Sequence, residues 1–138
     1  MHIPENLRLV LIIIFFTVLY YHRHKKENKM VAQETIDYVQ KLIKENKIIV
    51  FAKSYCPYSI ATRRTLFNDC KVPQSKALVL ELDLMQDGQE IQQALLAING
   101  QKTVPHVYIA GEFIGGNHEL QQIFQSGELQ KKLAPILA

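Results

Sequence analysis

Residues 47–52, Lys-Ile-Ile-Val-Phe-Ala, are a short β-branched run bounded by polar residues, the pattern of a buried strand. Pro57 follows a few residues later. Proline suits the first turn of a helix, where its missing N–H costs nothing, so a helix is predicted from there through Ala61, Leu66 and Phe67 to about Cys70. Upstream, Ile36, Val39, Leu42 and Ile43 recur at helical spacing, predicting an amphipathic helix over 33–46. Downstream, residues 77–83 read as a second buried strand, and residues 89–98 as a helix closed by Asn99-Gly100. Residues 106–110 and 112–116 flank the two-residue turn Ala110-Gly111, a β-hairpin. Residues 117–127 and 128–137 read as two closing helical segments. The order α-β-α-β-α-β-β-α is that of an α/β sheet layered by helices.

Composition separates the two ends of the chain. Its 138 residues suffice for one ordinary domain. The 48% hydrophobic and 21% charged content is that of a globular protein, apart from the first thirty residues. Residues 9–21 are apolar or nearly so, interrupted only by Thr17, and His-Arg-His-Lys-Lys follows at 22–26. This run is short for a bilayer span, which takes about 20 residues. Extended back to Leu7 it includes Arg8, whose long stem can snorkel. A cleaved signal peptide carries its positive charge before the apolar core. Here the order is reversed, so a short signal anchor fits better, and the positive-inside rule leaves residues 22–138 on the cytosolic side. The expected organisation is a leader over 1–29, with membrane association through residues 7–21, and a globular domain over 30–138. Initiation at Met30 would yield the globular domain alone, soluble in the cytoplasm.

Residues 1–29 carry five Lys/Arg against two Asp/Glu, whereas residues 30–138 carry eleven of each. The basic balance therefore belongs to the leader, and the body has no charge that would attract nucleic acid. Two cysteines, Cys56 and Cys70, are too few for a secreted disulfide scaffold. A reducing compartment is expected.

The chemistry centres on Ala-Lys-Ser-Tyr-Cys-Pro-Tyr-Ser at 52–59. Cys56 falls where a buried strand ends and a helix begins, so backbone N–H groups and the helix dipole favour its thiolate, the reactive form. Lys53 adds a positive charge. Ser59, one helical turn on, occupies the place where a second cysteine would complete C-x-x-C. Its hydroxyl can donate to the thiolate but cannot form a disulfide. Cys70 cannot replace it: fourteen residues of helix rise about 21 Å, and a disulfide needs its Cα atoms within about 7 Å. Cys70 reads as a structural cysteine at a helix end. The chemistry left for Cys56 is exchange through a mixed disulfide with a thiol supplied from outside. Two further segments converge on it. Thr-Val-Pro at 103–105 places before a strand a proline of the kind that is often cis. Gly115-Gly116 precede a helix start at Asn117, a corner suited to a carboxylate.

With Tyr-Cys-Pro-Tyr at 55–58, Thr-Val-Pro at 103–105 and Gly-Gly at 115–116 in collinear order, the sequence resembles a glutaredoxin over about residues 30–138. Met-Val-Ala-Gln-Glu-Thr at 30–35 and Lys-Ala-Leu-Val-Leu-Glu-Leu-Asp at 76–83 look closest to the yeast dithiol members. That group includes a member with a hydrophobic extension before an internal Met, made in mitochondrial and cytosolic forms. The resemblance implies a thioredoxin fold, a central four-stranded mixed β-sheet flanked by helices, with glutathione as co-substrate and no metal. It implies that Cys56 is the nucleophile, and the charge of Lys53 and the hydroxyl of Ser59 are expected to assist it. Lys53 and Gln92 would bind the glycyl carboxylate of glutathione, and Tyr58 would line the groove. Thr103 and Val104, before a cis Pro105, would meet the cysteinyl backbone, and Gly116, Asn117, His118 and Glu119 the γ-glutamyl end. The chain departs from the family pattern at Ser59, which replaces the resolving Cys, and at His118-Glu119, where a small polar residue and Asp are typical.

The expected activity is glutathione-dependent reduction of glutathione mixed disulfides by one thiol. The partners would be glutathionylated proteins or small disulfides, with glutathione reductase engaged indirectly through glutathione disulfide. Two other classes remain open: a glutathione-ligated [2Fe–2S] cluster carrier and a membrane-tethered redox sensor.

Overall fold

The run at 47–52 forms β1 (Ile48–Ala52), and all five of its residues are fully buried in the computed structural model. The structure describes residues 1–138, the side chain of Val31 excepted. After α1 (Glu5–Glu45) and β1 come α2 (Pro57–Arg64), β2 (Leu78–Glu81), α3 (Gly88–Asn99), β3 (His106–Ile109), β4 (Glu112–Gly115), α4 (Asn117–Gln125) and α5 (Glu128–Leu137). The chain divides into two units, Met1–Glu34 and Thr35–Ala138. The boundary expected at 29/30 falls inside α1. In the first unit the apolar side chains of residues 7–21 are exposed throughout, Phe15 and Phe16 by 60% and 63%.

In the second unit the strands are ordered β2-β1-β3-β4. β1 runs parallel to β2 and antiparallel to β3, and β3 runs antiparallel to β4. This is the mixed four-stranded sheet that the family resemblance implies. Alternation along β1 feeds two cores. Ile48, Val50 and Ala52 pack with Leu66, Leu120, Leu129 and Leu133 from the helices on one face. Ile49 and Phe51 pack with Val39, Ile43, Ile91 and Leu95 on the other. The hairpin turn has positive φ at both Ala110 (50°) and Gly111 (80°), the conformation whose twist matches paired strands.

Three expectations need correction. The strand expected over 77–83 is β2, shorter and only half-buried. It lies at the edge of the sheet and pairs on one side alone, so half of its backbone faces outward. Its chain turns aside at a 3-10 turn, Leu82–Leu84. There Gly88 packs so tightly that a Cβ would stand 1.7 Å from the Leu82 carbonyl oxygen. The helix expected to run from Pro57 to Cys70 is α-helical to Arg64 and then widens into a π-turn over Thr65–Asp69, with Cys70 N–H donating to the Thr65 carbonyl at 2.8 Å. The amphipathic helix of 33–46 is the C-terminal stretch of α1.

His106 opens β3 with no exposed surface. Asn99 Oδ1 accepts from Gln101 N–H, which orients the amide. Its Nδ2 then donates to His106 Nδ1 at 3.1 Å and to the Tyr108 hydroxyl at 2.8 Å. The ring proton therefore sits on Nε2, which is buried without a partner. Burial pushes the pKa of His106 down to about 4. The unfolded chain takes up a proton near the ordinary value of 6.5, so stability is lost as pH falls through that window. The loss is about 3 kcal/mol between pH 6.5 and 4. His106→Gln, which keeps an acceptor for Asn99, is expected to flatten the fall of the melting temperature across this window. An equal slope in both proteins would exclude His106 as its source.

Candidate functional site

β1 ends at Ala52, and four residues, Lys53 to Cys56, carry the chain to the start of α2. Cys56 is the N-cap residue, in extended conformation, and Pro57 is the first helical residue. Cys56 N–H donates back to the Lys53 carbonyl at 3.2 Å, closing the loop as a turn. The thiol is half-buried, 3.9 Å from the Val104 carbonyl oxygen to which it donates. Burial pulls its pKa up, and this is outweighed by hydrogen bonds from the Ser59 N–H, the Ser59 hydroxyl and the Tyr58 N–H, together with the charge of Lys53. The net shift is downward, which raises the thiolate fraction near neutral pH. Cys70 is displaced the other way, upward by burial and by Asp69. Both cysteines are free thiols.

Ser59 is fully buried. Its hydroxyl accepts from Lys53 N–H at 3.2 Å while donating to the Cys56 sulfur. The sequence anticipates the second bond and not the first.

A groove of about 780 Å³ opens over the sulfur. Cys56, Lys53, Tyr58, Gln92, Thr103, Val104, Pro105, Gly116, Asn117, His118 and Glu119 line it. The predicted residues therefore converge, except Ser59, which lies beneath its floor. The Val104–Pro105 bond is cis. Several of these side chains already have partners. Gln92 Nε2 donates to the Lys102 carbonyl at 3.0 Å. Asn117 Oδ1 accepts from the Thr62 hydroxyl and from Gln121 Nε2, both at 3.1 Å. The corner at 115–120 already holds a carboxylate: Glu119 Oε2 accepts from Gly116 N–H at 2.9 Å. The Glu119 side chain folds under Gly115, whose φ is +118° and where a Cβ would come within 2.8 Å of Glu119 Cγ. Only glycine allows that approach.

Sequence reasoning missed two groups. Gln101 lines the groove, and its Nε2 donates to the carbonyls of Thr103 and Pro105 at 2.7 and 2.8 Å, straddling the cis bond. Asp83, beyond β2, accepts from both the N–H and the hydroxyl of Ser54. Asp83 closes the run at 76–83, but nothing in that run points to Ser54, and no spacing rule marks Gln101. A second groove, of about 660 Å³ between α2 and the edge of β2, contains none of the predicted residues. Among the described residues no cluster of three or more His, Cys, Asp and Glu side chains is arranged to hold a metal.

Comparison with known proteins places this site in context. The family model described as Glutaredoxin matches residues 48–114. The chain is similar to Glutaredoxin-1 of Saccharomyces cerevisiae, 56% identical over 109 residues, covering 79% of this chain and 99% of that protein. It is also similar to Monothiol glutaredoxin-S6 of Oryza sativa, 42% identical over 96 residues and 70% of each chain. Among solved structures, a buckwheat glutaredoxin–glutathione complex superposes with a TM-score of 0.70 at 34% identity, covering 78% of this chain and 94% of that one.

Ser59→Ala deletes one hydrogen bond to the sulfur and leaves Lys53 N–H without its acceptor. The expected result is that Cys56 titrates at higher pH, followed through the ultraviolet absorbance of the thiolate. An unchanged titration would remove the hydroxyl from the groups that stabilise the anion.

Proposed function

The chain belongs to the glutaredoxin family and is a glutathione-dependent thiol–disulfide oxidoreductase, and within that chemistry we propose that Cys56 turns over alone, by a monothiol mechanism. The observation that carries this reading is the buried Ser59 hydroxyl hydrogen-bonded to the Cys56 sulfur, in the position where a resolving thiol would stand. The relative from rice bears the word monothiol in its name, in keeping with such chemistry on this scaffold.

Cys56 thiolate attacks the glutathione sulfur of a mixed disulfide. A bond forms between Cys56 and glutathione, the original S–S bond breaks, and the substrate leaves as a thiolate that takes a proton from solvent. A second glutathione thiolate then attacks the glutathione sulfur of that adduct, releasing glutathione disulfide and restoring Cys56 thiolate. The same hydrogen bonds that stabilise the attacking anion stabilise it again as the leaving group. Glutathione reductase would close the cycle by reducing the disulfide.

In this reading Lys53 and Gln92 receive the glycyl carboxylate, and Tyr58 forms a wall. Thr103, Val104 and Pro105 offer backbone to the cysteinyl residue. Gly116, Asn117, His118 and Glu119 face the γ-glutamyl end. Glu119 spends one oxygen on Gly116 N–H, which leaves the other for the γ-glutamyl ammonium. The backbone N–H groups of Asn117 and His118, at the start of α4, suit its carboxylate.

The surface around the sulfur supports protein substrates as well as small disulfides. Within Thr35–Ala138 six large apolar side chains are exposed, and Tyr55, Tyr58, Ile60 and Leu84 are four of them. Three lie within four residues of Cys56, and Leu84 adjoins Asp83, which is bonded to Ser54. Tyr55 and Tyr58 line the groove over the sulfur itself, and exposed apolar surface beside a reactive group marks a contact site. The relatives do not favour the cluster-carrier or sensor readings.

We also infer that residues 7–21 attach the full chain to a membrane, with the basic residues of 22–29 on the cytosolic side. A chain initiated at Met30 would be cytoplasmic, and a mitochondrial destination for the full chain is the second reading.

Cys56→Ala is expected to abolish glutathione-dependent reduction of a small glutathione mixed disulfide, and Cys70→Ala to leave it within about twofold of wild type. Loss of turnover with Cys70→Ala in a folded protein would overturn the one-thiol mechanism. Alkaline extraction of membranes should leave the full chain in the pellet and release a chain begun at Met30. Release of both would refute the anchor.

A further inference from the structure

The loop that delivers Cys56 is held from two sides. From the helix side, Ser59 accepts Lys53 N–H at 3.2 Å, and Cys56 N–H closes the turn onto the Lys53 carbonyl. From the sheet side, the Asp83 carboxylate grips Ser54 with both oxygens. Oδ1 accepts Ser54 N–H at 2.8 Å, and Oδ2 accepts the Ser54 hydroxyl. Asp83 is 29 residues away in sequence, in the 3-10 turn Leu82–Leu84 that follows β2. β2 in turn is registered against β1 through Ala52↔Glu81. The two bonds therefore tie the start of the catalytic loop to the end of the neighbouring strand. They hold the loop at Ser54, between the Lys53 and Cys56 backbone groups that the turn ties together.

We propose that Asp83 is a positioning residue of this enzyme, which through Ser54 sets the Lys53–Cys56 loop so that the Lys53 ammonium and the Cys56 sulfur address the same bound glutathione. This rests on the assignment of Lys53 and Cys56 given above and adds a residue that touches neither substrate nor sulfur. The geometry explains why an exposed acid stands beside a site that binds an anionic tripeptide. Each of its oxygens accepts one hydrogen bond from Ser54, which turns the carboxylate toward the loop. The hydrogen bonds from Ser54, with a contribution from the charge of Lys53, hold its carboxyl below the usual carboxylate range, so it remains an acceptor across the working pH of a thiolate enzyme. An error of about 1 Å in the placement of a binding group is enough to weaken substrate selection by an order of magnitude or more.

The test uses the full chain and three substitutions, Asp83→Ala, Asp83→Asn and Ser54→Ala, with glutathione and a small glutathione mixed disulfide as substrates. Asp83→Asn keeps both bonds, because its carbonyl accepts Ser54 N–H and its NH2 donates to the Ser54 hydroxyl oxygen. Asp83→Ala removes both, and Ser54→Ala removes one. Asp83→Ala is expected to raise KM for glutathione about tenfold while kcat stays within about twofold and the melting temperature is retained. Ser54→Ala should give a smaller rise, and Asp83→Asn should restore the wild-type KM. Exposed residues outside such a linkage give near-neutral variants, so an unchanged KM in Asp83→Ala overturns the proposal. So does an Asp83→Asn variant as impaired as Asp83→Ala, which would make charge and not the bonds the cause. If kcat falls, KM rises and the melting temperature drops together in both Asp83→Ala and Ser54→Ala, the link is merely structural and the proposal also fails. A wild-type chain without turnover would refute the one-thiol enzyme instead, which keeps the two failures distinct.

Discussion

Burial of β1 on both faces is the constraint from which the rest of this molecule follows. Each large apolar side chain removed from water contributes about 1.5–3 kcal/mol, and β1 sends Ile48 and Val50 to one core and Ile49 and Phe51 to the other. Surface ion pairs such as Lys132–Glu112 contribute about 0–1 kcal/mol each. The strand therefore dictates the layering and the charges do not. A strand covered on both faces must have helices above and below it and strands on either side. The end of such a strand is a fixed point, and Cys56 lies a short turn beyond it.

What makes the sulfur useful is a contest that this placement settles. Partial burial alone would raise the thiol pKa of Cys56, as burial and the neighbouring Asp69 raise that of Cys70. The N-terminus of α2 supplies the Ser59 and Tyr58 N–H groups, the Ser59 hydroxyl adds a third donor, and Lys53 adds charge. Cys70 stands at the opposite end of the helical run, where no free N–H groups remain and the adjacent Asp69 works against the anion. The two thiols are shifted in opposite directions, and they cap opposite ends of one helical segment.

Local pattern was enough for the elements whose cause is local. The β-branched run of β1, the helix closed by Asn99-Gly100, whose Gly100 adopts φ +79°, and the hairpin about Ala110-Gly111 were all legible. So was the convergence of Lys53, Gln92, Pro105 and Gly116 on Cys56, because the family resemblance carries it. The extent of β2 was not legible, since Leu82 has the composition of a strand residue. It leaves the sheet because Gly88 from the start of α3 packs against its carbonyl. The widening of α2 at Thr65 leaves no mark in its residue types either. At the corner of residues 115–120 the sequence shows Glu119 as one methylene longer than the Asp typical of the family. Only the fold shows that the carboxylate bends back onto Gly116 N–H.

The sequence by itself determined the placing of a thiol between a buried strand and a helix start, a serine where a second cysteine would complete C-x-x-C, the α/β order of elements and the apolar run near the N-terminus. Each of these is written in neighbouring residues or in a count of cysteines. The tertiary structure alone decided which long-range side chains hold the site together. Asp83 on Ser54, 29 residues away, and Asn117 on Thr62, 55 residues away, are pairings that no local pattern announces. Hydrogen bonds act over about 3 Å, so their pairing exists only once the sheet has brought distant segments into contact.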